Sequence, residues 1–273
     1  MAFSFIHISD IHFNQEDRGA LRVVHEYVAR REPDVVIASG DLTALGARSE
    51  MKAAFAWLRA LPAPVLATPG NHDTPYFQVT PRLFFPFLYF DRESRGVRTG
   101  PWIEREFAIA PINTARGVQL RKNWALGALS SGQARRAAEA IAGAPAEAFK
   151  IVVTHHPLIW PTHAPIPGDT RGGERGASLL MQAGAQLFLS GHLHRGGVEE
   201  LERDGHVAVF ANAGTLSIRQ RGEPPGFLCG RYDDGVLDIE RVFINGDVGE
   251  SVSIFRSTRG ARGSARATET AAG

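Results

Sequence analysis

The apolar run Ala-Gln-Leu-Phe-Leu ends at Ser-Gly-His-Leu-His, residues 190–194, which sets two imidazoles one residue apart. On an extended backbone residues i and i+2 share a side, so His192 and His194 are expected to point together at one target. Four similar bursts punctuate the chain: Ser9-Asp10-Ile11-His12, Gly40-Asp41, Gly70-Asn71-His72-Asp73 and Thr154-His155-His156. Singly, each has an ordinary explanation. Gly-Asp is a common turn, Asn after Gly suits a left-handed turn or an N-cap, and a His pair before Pro157 can simply end a strand. Jointly they place His, Asp or Asn after five apolar runs, which is a pattern of ligands.

Carboxylate, imidazole and amide oxygen, with no thiolate among them, suit hard or borderline divalent ions such as Mn, Fe, Zn or Co. Asp10, His12, Asp41, Asn71, His155, His192 and His194 exceed the needs of one ion and suffice for two that share a bridging carboxylate. His192 and His194 would then serve neighbouring ions, one each, and Asp10 and His12 would do the same. Two dications outweigh two carboxylates and one hydroxide, so the centre attracts a phosphate anion. A metal lowers the pKa of bound water to about 7, which makes a bridging hydroxide available without a separate protein base. The expected chemistry is in-line attack of that hydroxide on phosphorus while both ions neutralise developing charge.

The elements before the bursts must share an edge. Residues 3–9, 34–40 and 64–70 read as strands, and 17–31 and 47–61 as amphipathic helices between them. This βαβαβ order predicts parallel neighbours joined by crossover helices, with strands apolar throughout because both sheet faces are covered. Sites in such sheets form at the carboxyl ends of the strands. A Pro- and Phe-rich insert (74–101) follows, then strands at 107–113 and 123–129, a helix near 131–143 and a strand at 150–156. A Gly/Pro-rich loop (157–174) and a short helix to about 183 lead into the Ala-Gln-Leu-Phe-Leu strand. Antiparallel β-structure is expected from 197 onward, with hairpin turns at Asp204-Gly205 and Asp234-Gly235. One domain over 1–256 is expected, and 257–273, small and polar, reads as a disordered tail.

Composition narrows the classes. The 273 residues are 44% hydrophobic and 22% charged with a formal net charge of +1, ordinary for a soluble globular protein. Near-neutrality without a basic stripe argues against long nucleic acid as partner. The single cysteine, Cys229, excludes an intramolecular disulfide framework and suits a reducing compartment. The N-terminus lacks the features of a signal peptide, and no apolar run is long enough for a transmembrane segment, so a cytoplasmic location is expected.

Read in order, D-x-H, GD, GNHD, HH and GHLH resemble the motif set of the calcineurin-like metallophosphoesterase superfamily, and within it the bacterial class III cyclic-nucleotide phosphodiesterase branch. Every ligand position of that set is filled between residues 10 and 194. The resemblance implies an α/β fold, a four-layer αββα sandwich with two mixed β-sheets. It also implies two divalent metal ions, one held by Asp10, His12, Asp41 and His194, the other by Asp41, Asn71, His155 and His192. His72 would lie beside the phosphate, stabilising it or protonating the leaving oxygen, and Asp73 would orient His72. His156 would support the site or touch substrate.

The resemblance leaves the ester open. The insert is dense in aromatics between Tyr76 and Phe90, which suits either a packed core segment or a wall over a nucleobase or lipid glycerol. Arg82, Arg219 and Arg221 could hold a phosphate, though each alone reads as surface charge. The GNHD-TPYF and INTAR…LGALSSGQ stretches also resemble bacterial relatives that cleave phospholipid head groups. A small phosphodiester such as a cyclic nucleotide is therefore the expected substrate, with a phospholipid as the alternative. A metal-free protein-binding scaffold on the same fold is disfavoured by the complete ligand set, and assembly into a homo-oligomer is compatible with the sequence.

Overall fold

The structure is a computed structural model that describes residues 2–258. Its first half holds β1 (Phe3–Ile8), α1 (Arg18–Arg31), β2 (Val35–Ala38), α2 (Arg48–Ala60), β3 (Val65–Ala67), α3 (Val79–Phe84) and α4 (Leu88–Glu93). Next come β4 (Trp102–Ile103), β5 (Phe107–Ile112), β6 (Gly127–Ala128), α5 (Ser131–Ala142), β7 (Phe149–Thr154), β8 (Thr170–Arg171) and α6 (Gly173–Gln182). The chain finishes with β9 (Leu187–Ser190), β10 (Gly197–Arg203), β11 (His206–Asn212), β12 (Gly226–Asp233), β13 (Val236–Asn245) and β14 (Val248–Thr258).

Two six-stranded mixed sheets result, in the orders β14-β13-β12-β1-β2-β3 and β10-β11-β9-β7-β5-β4. The central strands β1, β2, β7 and β9 are buried on both faces because each sheet is covered twice there. Phe3, Phe5, Val35 and Ile37 of the first sheet meet Ile109, Ile151, Val153 and Leu187 of the second in a shared core. The opposite face of the first sheet, through Ile6, Ile8 and Val36, packs on Leu21, Val24 and Val28 of α1 and on Met51, Phe55 and Leu58 of α2. Val152 and Phe188 of the second sheet pack on Ala134, Ala138 and Ile141 of α5 and on Leu180 of α6. The layers are therefore helix, sheet, sheet, helix, as the resemblance implied.

Side chains at the helix ends fix where the helices begin, and the hairpin turns form where they were expected. Asp17 caps α1 by accepting from the Ala20 amide, and Ser130 and Gln133 form a capping box on α5. Asp204-Gly205 and Asp234-Gly235 all have positive φ, between 47° and 80°, as two-residue hairpin turns require. The strand expected at 123–129 shrinks to β6, two residues paired with β8. Strand β14 reaches Thr258, so it takes in the first two residues of the expected tail; residues 259–273 lie outside the described residues. No helix among the described residues is long and apolar enough to cross a membrane.

His7, on β1, is fully buried, with Nε2 2.8 Å from Ser39 Oγ and no partner at Nδ1. Burial lowers its pKa to about 3 against the pull of Asp10. The folded chain keeps this ring neutral, whereas the unfolded chain protonates it below its ordinary value of 6.5. His7 therefore removes stability as pH falls from 6.5 towards 3, by up to ~1.4 kcal/mol per pH unit. Denaturant titrations across that range should show a slope shallower by about one proton in His7→Gln. An unchanged slope would mean that the ring has the same charge in both states.

Candidate metal centre

Each predicted ligand sits just beyond a strand of one of the two facing sheets. Asp10 and His12 follow β1, Asp41 follows β2, and Asn71 and His72 follow β3. His155 follows β7, while His192 and His194 follow β9. The bursts thus gather where the carboxyl ends of two sheets meet, three from one sheet and two from the other. Close approach there requires small residues. A Cβ on Gly191 would strike the Ser9 side chain and come within 2.6 Å of Asp10 Oδ2.

The backbone at the ligands departs from the extended geometry expected for His-x-His. His192 and His194 have φ of 68° and 55°, and Leu193 between them donates its amide to Gly191 O at 2.8 Å. Asp10, His12 and Asp41 share this left-handed geometry, with φ between 50° and 54°. The two imidazoles fall in different donor groups, His194 with Asp10 and His12, and His192 with His155 and His156. Tight left-handed turns aim them, not pleat alternation. Such conformations cost on the order of 1 kcal/mol or more each, and the surrounding hydrogen bonds hold them in place.

Those bonds also orient the donor atoms. His12, His72, His155 and His194 each donate Nδ1–H to a backbone carbonyl, of Thr43 (3.2 Å), Ala44 (2.7 Å), Ser39 (2.8 Å) and Arg219 (2.5 Å) respectively. In its neutral form every one of these rings leaves Nε2 unprotonated, the tautomer in which imidazole ligates a metal. The carboxylates follow the same plan. Asp10 Oδ2 accepts from the His192 amide at 2.8 Å, and Asp41 Oδ1 accepts from the His72 amide at 2.7 Å. Their second oxygens face histidine nitrogens: Asp10 Oδ1 lies 3.2 Å from His194 Nε2, and Asp41 Oδ2 lies 3.3 Å from His155 Nε2 and 3.8 Å from His12 Nε2.

This arrangement fits a cation. Asp10 Oδ1 and His155 Nε2 are buried without a hydrogen-bond partner. The Nε2 atoms of His12 and His194 stand 3.2 Å apart, and since both rings are protonated on Nδ1, two lone pairs confront each other. Asp41 appears in two donor groups, with His12 and His72 and with Asp10 and His155, whose ligand atoms lie within 4.8 Å of one another. Without metal the electrostatics are lopsided. Burial alone would raise Asp10, but His194 and His155 hold it below the usual carboxylate range; Asp41 is held low by His155 and His72 against the same burial. Burial opposes charge on His155 as well, yet Asp41 and Asp10 raise it to about 9. Burial lowers His12 and His192 to about 3.

His156 has a different assignment from its neighbour. It is fully buried, with Nε2 2.8 Å from Ala125 O and 3.1 Å from Asn71 Oδ1, and Nδ1 2.9 Å from Thr114 Oγ1. A carbonyl can only accept, so Nε2 carries the proton and the ring steadies Asn71. Of the pair, His155 is the one whose Nε2 has no hydrogen-bond partner and is left for a ligand.

Asp73 does not orient His72, contrary to expectation. Its carboxylate turns away, accepting from the amides of Gly70 (2.8 Å), Leu42 (3.2 Å) and Thr43 (2.9 Å) and from Thr43 Oγ1 (2.9 Å). Burial, reinforced by the negative charge of Asp41, raises its pKa to about 6. The Ala44 carbonyl orients His72 instead.

Arg219 is the residue that sequence reading undervalued. Its Nη1 lies 3.2 Å from His72 Nε2, placing a permanent cation at the mouth of the centre. Nothing in Leu-Ser-Ile-Arg marks it, because it arrives from a loop after β11 by way of the packing of both sheets. Beyond Asn71 and His72 opens a cleft of about 560 Å³, whose walls include Tyr76, Arg82, Lys122 and Trp124. The guanidinium of Arg82 lies 5.8 Å from the Tyr76 ring and 5.6 Å from the Trp124 ring, and its Nε donates to Gly117 O at 2.9 Å.

Similarity to known proteins agrees with this geometry. A probable cyclic nucleotide phosphodiesterase of Synechococcus sp. is 31% identical over 84 residues, 28% of this chain and 33% of that protein. The glycerophosphodiester phosphodiesterase GpdQ of Enterobacter lignolyticus is 38% identical over 78 residues, 24% of this chain and 28% of that protein. The chain thus spans about a third or less of the curated relatives it matches. In fold it is similar to purple acid phosphatase PPD1 of yellow lupin, with a TM-score of 0.67 at 14% identity over 93% of this chain and 53% of that one. The protein TT1561 of Thermus thermophilus superposes with a TM-score of 0.55 at 12% identity, over 93% of this chain and 100% of that one. The family model for the calcineurin-like phosphoesterase domain matches residues 3–196, a span that contains every one of the seven predicted ligands, and the chain belongs to that family.

Proposed function

We propose that the chain is a dinuclear metal-dependent phosphodiesterase acting on a small phosphodiester. One metal would be held by Asp10, His12, Asp41 and His194, and the other by Asp41, Asn71, His155 and His192. The observation that carries this reading is the set of bare, buried donors converging on shared Asp41, which in a low-dielectric interior calls for positive charge. When bound, two dications lower the pKa of water, polarise the phosphoryl group and neutralise charge on the leaving oxygen.

The chain's own groups bind and position the substrate. Arg219 presents a guanidinium fork that matches phosphoryl oxygens. In the resting site it donates to His72 Nε2, so a phosphate that draws Arg219 away frees that nitrogen to hold a proton for the leaving oxygen. The Ala44 carbonyl keeps the ring aimed throughout. The cleft between Tyr76 and Trp124 accommodates the second organic group, which a monoester lacks and a diester carries. The names of both curated relatives, diesterases, support the same choice.

Initial rates of Mn-loaded protein on bis-p-nitrophenyl phosphate and on p-nitrophenyl phosphate test the reading. Preference for the diester is expected and would direct screening to cyclic nucleotides and glycerophosphodiesters. Preference for the monoester would make the protein a phosphatase on the same ligands. His72→Ala should lower kcat about 10²–10⁴-fold, as loss of a proton donor does. The loss should be smaller for a p-nitrophenyl leaving group, which departs without help, than for an alkyl one. Equal losses would assign His72 to phosphate binding alone.

A further inference from the structure

The insert between β3 and β4 is not a packed core segment along its whole length. Helix α3 has no buried residue, and the segment around it exposes Phe77 (76%), Phe84 (69%) and Phe85 (61%). Only its C-terminal part, through Phe90, joins the core. Across the cleft the 113–126 loop exposes Leu120 completely and Trp124 by 41%. Arg82 fastens the two segments together through Gly117 O. An apolar rim of this kind, set around the mouth of a cleft, marks an interaction surface.

Charge identifies what it meets. Residues 74–90 and 113–126 contain no Asp or Glu, yet they carry Arg82, Arg116, Arg121 and Lys122. Arg121 pairs with Asp169, whereas Lys122 has no carboxylate partner among the described residues. Arg116 turns inward to Gln133 Oε1, and a second copy docked about a two-fold axis would set one patch carrying Arg82, Arg121 and Lys122 against another, with no carboxylate in either segment to answer them. Exposed aromatics interleaved with Arg and Lys suit the interface of a bilayer whose head groups are anionic.

We propose that the rim formed by 76–88 and 118–124 docks the chain on an anionic phospholipid surface, so that the cleft beside His72 opens towards the lipid head groups. The docking surface is separate from the metal ligands, and its test needs no turnover. The full chain is sedimented at low salt with vesicles of phosphatidylcholine containing phosphatidylglycerol, and with phosphatidylcholine alone. Binding to the mixed vesicles is expected, weakened by added salt. It should fall at least about tenfold in a variant combining Phe77→Ser, Phe84→Ser, Phe85→Ser and Leu120→Ser. None of these four side chains lines the cleft, so the variant should keep its rate on bis-p-nitrophenyl phosphate. Absence of binding by the parent chain, or binding that the variant retains, overturns the proposal. So does a vesicle-free dimer that the variant dissociates, since a second copy would then cover the rim. Inactivity of both proteins on the soluble diester would count against the phosphodiesterase reading and leave the docking result standing.

Discussion

Replacing Asp41 by Asn is expected to lower diester turnover by at least about a thousandfold, equivalent to ~4 kcal/mol of transition-state stabilisation. Its Oδ2 faces His155 on one side and His12 on the other, and it belongs both to the donor group with Asp10 and His155 and to the one with His12 and His72. An amide in its place keeps a carbonyl oxygen for the His72 amide but removes the negative charge that both metals would share. The backbone should hardly notice, because φ at Asp41 is 50° and Asn tolerates that region as well as Asp does. The clean readout is therefore metal stoichiometry beside activity. A folded protein that loses one or both metals and its turnover together is expected. Activity within tenfold of the parent at full metal occupancy would break the bridging assignment.

Asp73→Ala should act on stability instead, by about 4 kcal/mol, with Tm lower by roughly 10 °C. Three buried amides and one hydroxyl lose their acceptor at once, and each orphaned donor costs ~1–3 kcal/mol before relaxation and water recover part of it. Those donors belong to the loops that carry Asp41 and Asn71, so metal affinity should weaken as well. With excess metal the folded fraction should regain most of its kcat. A native Tm with kcat lost at saturating metal would return Asp73 to the role of aligning His72.

Much of this site was legible in advance, and the limits have physical causes. Apolar runs and helical periodicity located β1, α1, β2, α2 and β3 to within three residues, because both are properties of short stretches of chain. Asp-Gly pairs located the hairpins because few other residues take positive φ. The convergence of the bursts was likewise visible, since carboxyl ends of parallel strands share an edge. The aim of His192 and His194 was not, for left-handed turns at His leave no periodic trace. Neither was the direction of Asp73, which neighbours His72 in sequence and turns its back on it in space. Arg219 lies far from every burst, and only the docking of two sheets brings it to His72. The aromatic insert was undecided because apolar content alone does not say which side of it faces water.

The left-handed backbone at Asp10, His12, Asp41, His192 and His194 has a consequence for the history of such a fold. A lineage that stops using its metals is under no penalty for mutating these positions. Glycine would relieve on the order of 1 kcal/mol of backbone strain at any of the five, but at Asp10 and Asp41 it would also orphan the His192 and His72 amides. At the three histidines, backbone strain therefore works against keeping the ring, and selection for turnover must hold the chain against it. The same asymmetry offers an engineer a starting point: relief of backbone strain at the histidines of the candidate metal centre.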